Sequence, residues 1–421
     1  MYFVSTRDSK TKVSASEAIL QGLAPDGGLF VPSSIPEIDI EKAPHFSDIP
    51  KLAHFILAPY FEGDLLEDEL YEMCCDAFNF PVPLHLYNDR EAVLELYWGP
   101  TAAFKDFGAR FLAASLERIL SKKGGRLTIL VATSGDTGGA VAAAFHNREH
   151  IDVKVLFPEG RVSSRQQSQL TCYQNNIEAY AVAGSFDDCQ KMVKDAFVDK
   201  ELAAREGLTS ANSINLGRLL PQMVYAFSSS LQMYQTTGEK PVMIIPSGNV
   251  GNACASYWAM TMGAPIQKIT LALNSNRTIL DYLENGSYRG RASVATLANA
   301  MDVGDPSNME RLFHLYDDYE SFSKMVSAAC VDDETIKKTI ERVYRDHDYI
   351  ICPHTATGEY VRETGAIDSP TIVYSTAHPA KFETIVEPIV GLPVEIPPSL
   401  KQLLLKEQHY KRVNCDYRSI F

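Results

Sequence analysis

"LTILVATSGDTGGAVAAAF", residues 127 to 145, runs from six β-favouring residues through a polar, glycine-rich turn into an alanine-rich helical pattern. A strand that leads through such a turn into a helix opens a βαβ unit, and ligands of open α/β sheets bind at that carboxyl end. Gly135, Gly138 and Gly139 allow a tight turn whose N–H groups face an anion, helped by the helix dipole. The same glycines also suit a plain tight corner, so the stretch points to an architecture more firmly than to a ligand.

The layout recurs at "IIPSGNVGNACASYW" (244–258), with Gly248 and Gly251, and, with fewer glycines, at "VYSTAHPAKF" (373–382). Further strand candidates are 92–97, 153–157, 177–182, 242–246, 269–273, 349–353 and 371–375, most of them continuous apolar runs expected of strands covered on both faces. Amphipathic stretches lie between them. In "FGARFLAASLERIL", Phe107, Phe111, Leu112, Leu116, Ile119 and Leu120 recur at three- and four-residue spacing, and Gly124 marks the stop. The alternation predicts an α/β protein with a mainly parallel sheet. The first 85 residues, acidic, proline-bearing and turn-rich, read as a separate N-terminal unit, followed by a catalytic region over 86–400 and a C-terminal tail over 401–421.

Bulk properties narrow the partners. The 421 residues are 45% apolar, enough for roughly two to three packing units. Lys plus Arg number 39 against 53 Asp plus Glu, a formal charge of -14, which repels nucleic acid at long range. No run approaches the about 18 apolar residues of a membrane helix, and the start lacks a secretory pattern, so a cytoplasmic protein is expected. Eight scattered cysteines form no CxxC pair and read as reduced thiols, and the ten histidines contain no HExxH, so no metal site is indicated.

One lysine stands out in "GPTAAFKDFGARF" (99–111). A lysine in a first helical turn is ordinarily a solvated charge, but Phe104, Phe107 and Phe111 offer apolar surroundings that would depress the pKa of Lys105 toward nucleophilic use. Neither glycine loop carries the GxGxxG or GxxxxGK[ST] spacing of dinucleotide or triphosphate sites. An amine beside an anion cradle fits a carbonyl cofactor bearing phosphate, and pyridoxal phosphate meets that description.

Taken in order, "STR…GLAPDGGLFVP" (5–32), "GPTAAFKDFGARF", "ATSGDTGGA", "ANSINLGRLLPQ" (211–222), "PSGNVGN" (246–252) and "STAHPAKF" closely resemble the threonine synthase family over nearly the whole chain. The resemblance implies a fold type II pyridoxal-phosphate enzyme, with two α/β lobes of mostly parallel twisted sheets plus a small N-terminal domain. It implies conversion of O-phospho-L-homoserine and water into L-threonine and inorganic phosphate. By the family pattern, Lys105 condenses with pyridoxal 5'-phosphate, Gly248, Asn249, Val250, Gly251 and Asn252 hold its phosphate, and Thr376, rather than Ser375, faces its ring nitrogen. Asp136 stands where related enzymes carry Asn beside the ring hydroxyl, and Val250 where the family often has Phe. Ser134 and Thr137 would meet the substrate, while Asn212, Ser213 and Arg218 would take its phosphate, Arg218 through a bidentate guanidinium. The chain is expected to act as a monomer or homodimer without S-adenosylmethionine activation. The alternatives are a related phospho-amino-acid lyase or threonine/serine dehydratase, and a catalytically silent binding protein.

Overall fold

The computed structural model describes all of residues 1–421. Its strands are β1 (Phe3–Ser5), β2 (Phe30–Pro32), β3 (Leu84–Asn88), β4 (Glu91–Glu95), β5 (Leu127–Ala132), β6 (Ile151–Pro158), β7 (Ile177–Val182), β8 (Leu208–Thr209), β9 (Val242–Pro246), β10 (Lys268–Leu273), β11 (Val326–Cys330), β12 (Thr371–Ser375) and β13 (Lys411–Val413). They form a short β1–β2 ribbon, a six-stranded sheet ordered β11-β10-β9-β12-β4-β3 and a five-stranded sheet ordered β13-β7-β6-β5-β8. Every pairing in the two larger sheets is parallel except that of β3 with β4. The expected α/β class with mostly parallel sheets is therefore what the chain adopts.

Strand burial follows the residue types. β9 and β12 are buried at every position, as helices on both faces require of continuous apolar runs. The helix Lys105–Lys123 ends at Gly124 with φ 76, so the glycine stop read from the sequence is a positive-φ cap whose N–H donates to the Leu120 carbonyl. The largest core is continuous from the N-terminal ribbon and the helix Ile49–Phe61 into both larger sheets.

Two readings need correction. Residues 349–353 are not a strand: Pro353 starts a helix (Pro353–Thr364), and Cys352 caps it by accepting from Thr355 N at 3.5 Å. The apolar run is buried for a different reason, as the lead-in to that helix. In the opposite sense, β11, β13 and the two-residue β8 carried too little apolar pattern to be read as strands, yet β13 places the C-terminal segment at an edge of the five-stranded sheet.

Candidate active site

The carboxyl ends of β4, β12 and β9 lie side by side at one edge of the six-stranded sheet, Asp136 beyond the end of β5 in the other sheet reaches Lys105 and Lys381 there, and each strand leads into one of the segments singled out above. Beyond β4, the turn before Lys105 is held by Asp106, whose Oδ2 accepts from Thr101 N at 2.9 Å and whose Oδ1 accepts from the Thr101 hydroxyl at 2.7 Å. A Cβ at Gly99 would lie 2.5 Å from that carboxylate, so only glycine fits. The exit of β12 then clasps this turn: Phe104 N donates to Thr376 O at 2.9 Å and His378 N to Ala102 O at 3.0 Å. Lys105, first residue of its helix, is thereby brought beside Thr376.

The aromatic environment read from the sequence is only partly correct. Phe104 lies under the amine, 5.8 Å from Nζ to ring centroid. Phe107 and Phe111 sit on the buried side of the helix, packed on Phe78, with Phe80 and Tyr225 also against Phe107 and Phe61 against Phe111. Residues two and six places on from Lys105 fall on another helical face. What surrounds the amine instead is charge. Asp136 Oδ2 is 4.0 Å from Lys105 Nζ, and Asp136 Oδ1 accepts from Lys381 Nζ at 2.8 Å and from Gln166 Nε2 at 3.2 Å. Burial pulls Lys105 down to about 8 against the attraction of Asp136, and the charges of Lys381 and Arg218 add to the depression. Burial alone would push the Asp136 carboxyl up, but the two ammonium groups outweigh it and hold it well below the usual carboxylate range. His354, also buried, is drawn down to about 4 by burial and stays neutral, its Nε2 accepting from Ala300 N at 3.1 Å.

The turn after β5 is organised by Thr133, whose hydroxyl accepts from Gly135 N at 3.0 Å and Gly138 N at 2.9 Å. The hydroxyls of Ser134 and Thr137 have no partner in the chain. After β9, Asn252 closes its own loop: its Oδ1 accepts from the Ser247 hydroxyl at 2.6 Å and its Nδ2 donates to Pro246 O at 2.9 Å. Its side chain is thus engaged, leaving its backbone as the available donor. The N–H groups of Gly248, Asn249, Val250, Gly251 and Asn252 donate to no carbonyl or side chain. A Cβ at Gly248 would come within 2.6 Å of Met301 Cα, and Val250 is held at φ 59, a conformation β-branched residues avoid.

The segment 210–218 completes the site. Asn212 leaves its side chain free, and Ser213 Oγ accepts from Asn249 Nδ2 at 2.7 Å. Arg218 is buried against Gly108, with Nη1 bonded to Ala211 O and Nε without a partner. Burial lowers it to about 10, only partly offset by Asp106. All thirteen residues named from the sequence therefore lie on segments converging at one place. Lys381, Gln166, His354, Asn308 and Arg311 were missed. Of these only Lys381 carried a signal, its place inside "STAHPAKF".

Five successive unpartnered N–H groups at a helix start match the oxygens of a phosphate, a desolvated amine matches an aldehyde, and the Thr376 hydroxyl, free where that of Ser375 is bonded to Thr355 at 2.9 Å, can meet a ring nitrogen. Pyridoxal phosphate fits these residues. The sequence matches the family model for pyridoxal-phosphate dependent enzymes over residues 93–373, and those for the threonine synthase N terminus and C-terminal over 2–78 and 354–420. A curated threonine synthase of Escherichia coli is 38% identical over 405 residues, covering 96% of this chain and 94% of its own. The crystal structure of threonine synthase from Escherichia coli superposes with a TM-score of 0.91 at 35% identity, covering 100% of this chain and 98% of its own. A pyridoxal-phosphate-bound threonine synthase from Brucella melitensis gives 0.92 at 33%, with the same coverage. Likeness of this extent, from the N-terminal ribbon to the last helical turn, leaves one assignment: the chain belongs to the threonine synthase family of pyridoxal-phosphate-dependent enzymes.

Proposed function

We propose that the chain converts O-phospho-L-homoserine and water into L-threonine and inorganic phosphate, with Lys105 Nζ as its acid–base group and Arg218 at the substrate phosphate. The observation that carries the reading is a desolvated amine accompanied by two separate sets of anion donors, the 248–252 amides and the unpartnered Nε of Arg218. A phosphorylated cofactor and a phosphorylated substrate together need both. When bound, pyridoxal phosphate supplies an aldehyde for amines and a conjugated system that spreads the charge left when carbon loses a proton. Lys105 would be its attachment point, residues 248–252 would hold its phosphate, Asp136 would lie beside its ring hydroxyl, and Thr376 would face its ring nitrogen without protonating it.

Lys105 Nζ, once free, takes the proton from Cα, hands that proton on and, neutral again, takes one from Cβ, and its depressed proton affinity keeps part of it neutral near pH 8. Arg218, Ser213, Asn212 and Thr137 hold the phosphate as it leaves Cγ, where donors aimed at growing negative charge count most. Ser134 meets the remainder of the substrate. A proton returns at Cγ, water adds its hydroxyl at Cβ while giving up its other proton, and a proton returns at Cα. The same reading divides the chain near residues 85 and 400 and has it act as a cytoplasmic monomer or homodimer, which sedimentation and fractionation measure.

The test is simultaneous measurement of inorganic phosphate and threonine from O-phospho-L-homoserine, for the wild type and Lys105→Ala. Equal amounts of the two products, abolished by the substitution, are expected. Phosphate accompanied by 2-oxobutyrate and ammonia would move the chain to the lyase alternative, and no phosphate release would overturn the substrate.

A further inference from the structure

Lys381 is wholly buried, and the reaction above makes no use of it. Taking an ammonium out of water is unfavourable unless it is paired and hydrogen-bonded. Lys381 is both, since its Nζ donates to Asp136 Oδ1 at 2.8 Å and to Thr101 O at 2.8 Å. Its position is fixed by the short turn Pro379–Phe382. There His378 Nδ1 accepts from Ala380 N at 3.1 Å, Arg165 donates to Ala380 O, and Phe382 packs on His354 with ring centroids 4.9 Å apart. One ammonium thus ties together the segment leading into Lys105, the carboxylate beside Lys105 and the strand exit that carries Thr376.

We infer that Lys381 is the positioning residue that sets the proton affinity of Lys105: it occupies Asp136 Oδ1 and the Thr101 carbonyl, keeps the carboxylate ionised with Oδ2 turned to Lys105, and adds a like charge beside that amine. An ionised Asp136 screened by Lys381 presents Lys105 with a partly neutralised pair. The inference rests on Lys105 being the cofactor-bearing amine.

The charges facing Lys105 Nζ are Asp136 on the helix Asp136–Phe145, Lys381 on its turn and Arg218 on the helix Leu216–Leu219, with neutral His354 on the helix Pro353–Thr364. Asp136 in addition faces Gln166 and the un-ionised Cys352. Removing the charge of Lys381 removes a repulsion and releases Asp136 to Lys105 alone, so the proton affinity of the lysine nitrogen must rise. Removing the charge of Asp136 with Lys381 retained must lower it.

The experiment is a pH titration of the holoenzyme's visible absorption, which reports protonation of the nitrogen that Lys105 supplies, in the wild type, Lys381→Met, Asp136→Asn and the double variant. Borohydride reduction and peptide mapping first locate that nitrogen; a label away from Lys105 overturns the reading of the site itself. With the label on Lys105, Lys381→Met should raise the midpoint by about one pH unit and shift the acid limb of kcat/KM the same way. Should Lys381→Met fail to fold, the step from Asp136→Asn to the double variant reads the same charge removal and should also be upward. A lower melting temperature with unmoved midpoints in both backgrounds would make Lys381 purely structural and overturn the inference.

Discussion

Arg218 brings a positive charge into the interior without a carboxylate in contact, and its Nε is left without any acceptor. A buried cation in that state weakens the fold and strengthens whatever anion reaches it. Arg218→Met should therefore lower kcat/KM for the phosphorylated substrate about 100- to 1000-fold, in line with the roughly 2–5 kcal/mol seen when one member of a buried charge pair is removed. The melting temperature of the unliganded enzyme should stay level or rise, and the stabilisation that inorganic phosphate gives the wild type should vanish. Arg218→Lys should recover little, because an ammonium lacks the planar fork. Loss of activity together with a lower melting temperature would assign Arg218 to the fold instead. The residue type was legible in "ANSINLGR". What was not legible is the missing partner, since an unpaired donor is a property of everything folded around it.

At the scale of the element, the loop after β9 owes its shape to glycines of unequal importance. A Cβ on Gly248 would meet the Cα, carbon and oxygen of Met301 at 2.6, 3.0 and 3.0 Å, all backbone, whereas one on Gly251 would meet Ser213 Cβ at 3.3 Å. Backbone cannot step aside as a side chain can. Gly248→Ala should therefore weaken cofactor binding by about 10- to 100-fold, roughly 1.4–2.8 kcal/mol. Gly251→Ala should cost less than about fivefold, since a shift of a few tenths of an ångström relieves the contact. Absorbance titration of the cofactor-free variants separates the two, and equal affinities would mean that the 298–303 segment yields. The glycines themselves, and the strand-turn-helix order around them, were readable because a β run followed by a helical run has few other solutions. Their ranking was not, because Met301 reaches Gly248 from 53 positions away. The failed strand at 349–353 has a related origin. Apolar content records burial, and both a central strand and the lead-in to a capped helix are buried.

Across the whole molecule, the N-terminal unit, the 210–218 segment and the loop after β9 are joined by Arg311 and Asn308, both wholly buried. Arg311 donates to Phe30 O at 3.1 Å, Ser213 O at 3.0 Å, Ile214 O at 2.6 Å and Asn308 Oδ1 at 2.6 Å. The neighbouring Glu310 is held by Thr6 and Arg7 of the N-terminal unit, and Asn215 Nδ2 reaches Ile19 O at 3.0 Å. Asn308 Nδ2 then bridges Ser213 Oγ at 3.2 Å and Asn249 O at 2.9 Å, one atom on the 210–218 segment and one on the loop after β9. The N-terminal unit therefore buttresses the 210–218 segment, and Asn308 links that segment to the loop after β9. No local pattern announces such a bridge, since its parts come from residues 30, 213, 249 and 308. If the two loops order each other, an anion in one lowers the entropy loss of filling the other, and the coupling must be reciprocal. In the wild type, cofactor loading should tighten inorganic phosphate binding, as calorimetry on the loaded and cofactor-free forms would measure. In Asn308→Ala, each affinity should fall about 5- to 30-fold, matching roughly 1–2 kcal/mol for a buried hydrogen bond left unmade, and the ratio between the two forms should shrink, with the direct Asn249–Ser213 hydrogen bond carrying what remains. Arg311→Met, which strips donors from several carbonyls at once, should instead lower the melting temperature by several degrees. Weaker binding in Asn308→Ala with the wild-type ratio preserved would reduce the Asn308 bridge to a local contact and assign the coupling to the direct Asn249–Ser213 hydrogen bond.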